Sequence, residues 1–96
     1  MLASLIKDYL DSTQLLLPQL QTAIAAQDGT TLRQVAHTLG SSSANLGALA
    51  FAKQCKAIEN LARVGNLTTM AALYRGLTQG YEKVKTALQE LIVDNE

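Results

Sequence analysis

Apolar residues recur along this chain at spacings of three and four nearly throughout, and no stretch alternates apolar and polar positions through Val, Ile, Thr or aromatic residues. That period lines one face of an α-helix rather than one face of a strand. The last stripe is the clearest: Leu67, Met70, Tyr74, Leu77, Tyr81, Val84, Leu88 and Leu91 form an unbroken heptad seam, suited to shallow packing against neighbouring helices. Asn66 or Thr68 can cap its start. Gly76 and Gly80 lie inside it at a cost of about 1 kcal/mol each relative to Ala, which so long a seam outweighs. The first helix is expected from about residue 2 to Gln27, with Leu2, Ile6, Tyr9 or Leu10, Leu16, Leu20 and Ile24 inward. Pro18 removes a backbone donor and crowds the preceding turn, so a kink or break is expected there, and Asp28-Gly29 ends the helix. A second helix starts from a Thr30 or Thr31 cap, turns Leu32, Val35, Ala36, Leu39, Ser43 and Leu46 inward, and stops at Gly47, a natural left-handed residue. A third runs from about Ala48 to Val64 with Phe51, Cys55, Ile58 and Ala62 inward and Leu61 beside them, closed by Gly65. Loops this short make consecutive helices antiparallel. The expected fold is all-α: a single domain over residues 1–96, built as an up-down-up-down four-helix bundle.

Composition narrows what such a bundle can do. Among 96 residues, eight basic side chains balance eight acidic ones, which argues against a general nucleic-acid binder. One His and one Cys cannot close a structural zinc site, so no metal site is expected, and no disulfide can form within the chain. The aromatic content of 4% leaves an aliphatic core. The apolar N-terminal run is interrupted by Lys7 and Asp8. It is too short for a signal-peptide core or a membrane span, and a cytoplasmic location is the default expectation. The charges are unevenly placed. Residues 1–32 carry a net −2, residues 86–96 a net −3, and the seven basic groups between them, against Glu59 and Glu82, leave +5. That basic middle, which holds the only His, can attract a phosphate or an acidic partner.

His37 falls outside the inward set of the second helix, toward solvent. Arg33 and Gln34 precede it on the same face, and Gly40, Ser41 and Ala44 follow. Small neighbours leave the ring prominent and let another protein surface come close. A Gly in a helix interior is unfavourable, and Gly40 is explained if access matters there. An exposed imidazole can act as a nucleophile and form a covalent intermediate. No second His, no thiol nearby in sequence and no Gly-rich phosphate loop accompanies it, so a partner would bring the rest of the machinery. The plainer alternative is an ordinary surface histidine beside a weak point in a helix, and periodicity alone does not separate the two. Cys55, on an inner stripe, reads as a small core residue.

The run from Ala36 to Ala48, Ala-His-Thr-Leu-Gly-Ser-Ser-Ser-Ala-Asn-Leu-Gly-Ala, resembles the signature of histidine-containing phosphotransfer (HPt) domains, the four-helix modules of phosphorelays. The family pattern is Ala-His-x-Leu-Lys-Gly-Ser-Ser, with Leu-Gly-Ala a few residues on. Cys55-Lys56-Ala57-Ile58-Glu59 resembles a second family run. The resemblance implies that His37 accepts a phosphoryl group from the phospho-aspartate of a response-regulator receiver domain and passes it to another receiver aspartate. It implies that Glu59 orients the imidazole and that Arg63 lies near the phosphoryl group. Receivers would dock on Gln34, Gly40, Ser41 and Ala44, and a hybrid sensor histidine kinase, in the same or another chain, is a further implied partner. The domain would hold no cofactor of its own, magnesium being carried by the receiver, and would turn over no small substrate by itself. Where the family has Lys, this chain has Gly40, and Ser41 replaces the following Gly; Arg33, Lys56 or Arg63 are candidates to supply the missing charge. The alternatives are an HPt-like adaptor that binds receivers without relaying, and a bundle that dimerises through its last seam.

Overall fold

The computed structural model describes residues 2–94; the start at Met1 and the terminal charge of Glu96 lie outside the described residues. Four helices follow one another: α1 Leu2–Ala26, α2 Gly29–Asn45, α3 Leu49–Arg63 and α4 Met70–Asp94. Among the described residues there is no strand. Each helix packs on its two neighbours in the ring α1-α2-α3-α4, and among the described residues the backbones of the diagonal pairs stay apart. Contacts across the interfaces run in opposite chain directions: Tyr9, early in α1, meets Ser43, late in α2; Gly29 and Gly40 of α2 approach Ala62 and Cys55 of α3; Phe51 and Gln54 of α3 meet Tyr81 and Gly76 of α4. The bundle is therefore antiparallel, up-down-up-down, as the short loops required. No helix among the described residues is long and apolar enough to cross a membrane.

Three of the helix ends are built alike. After α2, Gly47 takes φ 82 and its N–H donates to the Ala44 carbonyl, while the Ala48 N–H donates to Ser43. Gly65 (φ 75) closes α3 through the same pair of bonds, to Ala62 and from Asn66 to Leu61. This is the Schellman arrangement, which needs a left-handed residue just past the helix. The end of α1 departs from the expectation of Asp28-Gly29. Gln27 adopts the left-handed conformation, φ 54, and its N–H and that of Asp28 donate to Ile24 and Ala23. Gly29 is instead the first residue of α2. The cap of α2 is correspondingly Asp28 rather than Thr30 or Thr31: its carboxylate accepts from the Thr31 N–H at 3.1 Å and from the Thr31 hydroxyl at 2.6 Å. A carboxylate also suits the positive end of the helix dipole.

Of the kink or break expected at Pro18, the break does not occur. The helix α1 runs through it. Pro18 and Gln14 are both exposed, so water can satisfy the Gln14 carbonyl that loses its helical donor. The buried stripe of α1 is Ile6, Tyr9, Leu10, Thr13, Leu17, Leu20 and Ala23, shifted from the expected one. Leu16 and Ile24 sit at its margin, and Leu2 is exposed. Thr13 is tolerated inside because its hydroxyl donates to the Tyr9 carbonyl at 2.8 Å. The Tyr9 and Ser43 hydroxyls pair at 2.6 Å in the core. On α4, Met70, Leu77, Tyr81 and Leu88 are buried as the seam required; Leu67, Tyr74 and Val84 are half-buried and Leu91 is exposed. The helix starts at Met70, behind a turn in which Asn66 accepts from the Thr68 hydroxyl at 2.8 Å.

Gly76 and Gly80 have a packing role that the periodicity did not reveal. They form a notch on α4 that receives the Gln54 side chain of α3, whose Nε2 donates to the Gly76 carbonyl at 3.2 Å. A Cβ at position 80 would collide with the Gln54 amide oxygen.

Candidate functional site

Helix α2 sets Leu32, Val35, Ala36, Leu39 and Ser43 into the core. One step off that stripe, His37 is carried to the surface along the seam between α2 and α3. The two helices come close there because both are small at the contact. A Cβ on Gly40 would lie 3.4 Å from the Cys55 Cβ and 3.7 Å from the Ala52 carbonyl oxygen. Gly40 thus faces α3 and is half-buried, rather than only opening the surface beside His37 to a partner. The register of this contact brings Glu59 of α3 beneath the imidazole.

The imidazole and the carboxylate differ in exposure: the His37 side chain is 64% accessible and that of Glu59 only 8%. His37 Nδ1 lies 3.1 Å from Glu59 Oε2. A carboxylate at that distance selects the tautomer with hydrogen on Nδ1, which donates to Oε2 and leaves the Nε2 lone pair free. The same Oε2 accepts from Arg63 Nη2 at 3.1 Å, one helical turn along α3. Lys56 Nζ stands 3.6 Å from Oε1. Burial works to raise the pKa of Glu59. The hydrogen bond from His37 and the charges of Lys56, His37 and Arg63 outweigh it and hold the carboxyl below the ordinary glutamate value. Glu59 is therefore ionised at neutral pH.

Two shallow depressions flank the ring. One is lined by Gly40, Ser41 and Ala44 from α2 and by Leu49, Ala52, Lys53 and Lys56 from α3, with His37 and Glu59 at its end. The other is lined by Arg33, Gln34, His37, Thr38 and Glu59. Of the residues singled out in the sequence, His37, Arg63 and Lys56 converge on the carboxylate of a fourth, Glu59. Arg33 and Gln34 lie together on the other side of the ring, and Arg33 makes no ion pair with Glu59. Ser41 and Ala44 are exposed beside the first depression. Sequence reasoning passed over Lys53 and Leu49 in that depression. Their spacing to Lys56, three and seven residues, could have placed them on its face. Cys55 is fully buried and its thiol is pushed up to about 12 by desolvation, which fits a core residue rather than a reactive one.

An antiparallel four-helix bundle that carries one solvent-facing imidazole, its inner nitrogen bonded to a buried carboxylate, is the class of protein that the fold and the site define. Residues 4–92 match the model of the Hpt domain, and the chain belongs to that family. Its structure is similar to the crystal structure of histidine-containing phosphotransfer protein B (HptB) from Pseudomonas aeruginosa PAO1. The TM-score is 0.89 at 28% sequence identity, covering 92% of this chain and 76% of that one. No curated protein sequence gives a significant match. The family places the chain in phosphotransfer within two-component systems, alongside response-regulator receivers and histidine kinases.

Proposed function

We propose that His37 accepts a phosphoryl group on Nε2 from the phospho-aspartate of a receiver domain and donates it to the aspartate of another. The observation that carries this reading is the 3.1 Å contact between Nδ1 and the buried Glu59 carboxylate, which leaves Nε2 as the free nucleophile on an exposed ring. The Nε2 lone pair forms the N–P bond as the acyl P–O bond of the donor breaks, and the electron pair leaves on the donor carboxylate. No proton has to move. The ring becomes cationic with Nδ1–H still in place, and Glu59 offsets that charge. The reverse sequence returns the phosphoryl group to an aspartate.

Phosphoryl transfer asks for in-line geometry and charge neutralisation. In this reading the receiver contributes the aspartate and a magnesium ion. This chain contributes an aligned nucleophile and a docking face around Gln34, Gly40, Ser41 and Ala44, with Leu49 as an apolar contact, exposed at 61%. A hybrid sensor kinase carrying a receiver would serve as donor equally well. A cytoplasmic setting fits such partners. The domain then acts as a relay intermediate and turns over no small substrate by itself.

The test is transfer from a panel of phosphorylated receiver domains, read by intact mass, with His37→Gln as control. An acid-labile adduct on the wild type and none on the variant is the expected result. Receivers that bind without any adduct would overturn the relay and leave an adaptor.

A further inference from the structure

A phosphoryl group on His37 is a dianion at the surface, and its formation is helped by cations beside the transferred oxygens. The α2 side of the groove beside His37 carries none: it consists of Gly40, Ser41 and Ala44. The α3 side carries Lys53 and Lys56. Gly40 packs on Cys55, the residue before Lys56, and with no side chain of its own it leaves the space between Lys56 and the imidazole open. Arg63 is less available, because its Nη2 is hydrogen-bonded to the oxygen that also holds His37. Lys56 is held loosely, 3.6 Å from Oε1 and 58% accessible. Lys53 is exposed and has no ion pair among the described residues.

We propose that Lys56, supported by Lys53 one turn before it on α3, receives the phosphoryl oxygens on His37, so that the charge for transfer comes from α3 across a groove left open by Gly40. This rests on His37 being the phosphoryl acceptor. As the N–P bond forms and the donor's bond to phosphorus breaks, the Lys56 ammonium turns from Glu59 Oε1 to the phosphoryl oxygens, keeping all of its protons. Glu59 then faces the cationic ring and Arg63 alone, and the ammonium lies on the dianion.

The test uses the whole chain and phosphoramidate, a small donor that needs no cognate receiver. Its P–N bond breaks and the amine leaves as ammonia. The rate of adduct formation and the adduct's lifetime are followed by intact mass, with circular dichroism to confirm that each variant folds. The double variant Lys53→Gln/Lys56→Gln is expected to form the adduct roughly tenfold more slowly, the worth of about one hydrogen bond to a charged group. The deficit should shrink at high salt as the wild type is screened. Lys56→Arg should retain the rate, and Lys83→Gln, on α4, should not alter it. Adding Gly40→Lys to the double variant should return most of the rate, since a Cβ there meets only ordinary contacts at 3.4 and 3.7 Å. An unchanged rate and lifetime in the double variant would overturn the proposal while leaving His37 as acceptor. So would a slowed rate that neither Lys56→Arg nor Gly40→Lys repairs, because the lysines would then act through Glu59. A wild type that takes no phosphoryl group from phosphoramidate or from any phosphorylated receiver would overturn the assignment of His37, and this proposal with it.

Discussion

Replacing Glu59 separates its effect on the nucleophile from its effect on the fold. Its Oε2 accepts from His37 Nδ1 and from Arg63, each at 3.1 Å, and its Oε1 faces Lys56 at 3.6 Å. Lys56, Arg63 and the neutral imidazole are each more than half accessible, so water compensates them once the carboxylate is gone, and exposed ion pairs such as the first two contribute at most about 1 kcal/mol apiece. Glu59→Ala should therefore lower the unfolding free energy by only about 1–2 kcal/mol. The bond to the imidazole has a different consequence. A hydrogen bond to a charged acceptor is worth about 1.5–3 kcal/mol, and the low end suits a ring this exposed. Since about 1.4 kcal/mol is a factor of ten, the ratio of rings held with Nδ1–H inward and Nε2 free to rings in other arrangements falls roughly tenfold. Phosphorylation by phosphoramidate should slow several-fold, by about that factor at most, and nitrogen-15 NMR of the imidazole should show mixed tautomers. Glu59→Gln keeps an acceptor and should slow less. The pH dependence has a definite sign. A carboxyl whose folded pKa lies below its unfolded value contributes stability that is fully present above 4.5 and drains away as pH falls through the lower folded value. Glu59→Gln should flatten that acid limb in urea titrations. A Glu59→Ala protein that reacts at the wild-type rate with an unmixed tautomer would refute the orienting role.

The same geometry makes further predictions. Gly76→Ala should stabilise the protein by about 1 kcal/mol through helix propensity, because its Cβ meets nothing closer than the Gln54 amide at 3.8 Å. Gly80→Ala should gain little until Gln54→Ala removes the colliding amide, a coupling that a double-mutant cycle in denaturant would measure. Tyr9→Phe leaves the buried Ser43 hydroxyl without its partner and should lower stability by about 1–3 kcal/mol; in Tyr9→Phe/Ser43→Ala the loss should be less than the sum of the singles. Cys55, buried and with its thiol pushed up to about 12, should resist thiol reagents at pH 8 in the native protein and react at the rate of unfolding, as stopped reactions with a chromogenic disulfide would show.

The inward stripes of α2 and α3 were legible in the sequence because both helices are short, capped by turn residues and amphipathic with a constant period. The stripe of α1 was less so. Over 25 residues the buried face moves around the helix, and polar Thr13 joins it through a local hydrogen bond that no hydropathy pattern signals. Pro18 leaves the helix unbroken for a related reason: the cost of a missing donor depends on whether its carbonyl partner faces water, which is a property of the bundle. The cap at Asp28 is legible in its spacing to Thr31, but a glycine after it reads as a helix end, whereas Gln27 takes the left-handed position and Gly29 opens the next helix. At the site, His37 and Glu59 could be paired only through the family resemblance. They are 22 residues apart, on different helices, and nothing periodic connects them. Lys53 was overlooked because a single lysine on an exposed face looks like any other until the groove across from it is known.

What joins these residues is the closeness of α2 and α3, and that follows from residues without chemistry of their own. A glutamate on one helix reaches an imidazole on another at hydrogen-bond distance only if the helix axes are near, and axis separation is set by the side chains between them. Here those are Gly40, Ala52 and Cys55. A β-branched residue at 40 would push against the Cys55 Cβ, which stands only 3.4 Å from the first added carbon, and would widen the seam where Glu59 must cross it. Gly40→Val should therefore lose the constrained tautomer of His37 even though it leaves His37, Glu59, Lys56 and Arg63 all in place, whereas Gly40→Ala should keep it. Imidazole nitrogen shifts in the two variants would decide the matter. Equal shifts in both would mean that Glu59 finds the ring by side-chain flexibility rather than by the spacing of the helices.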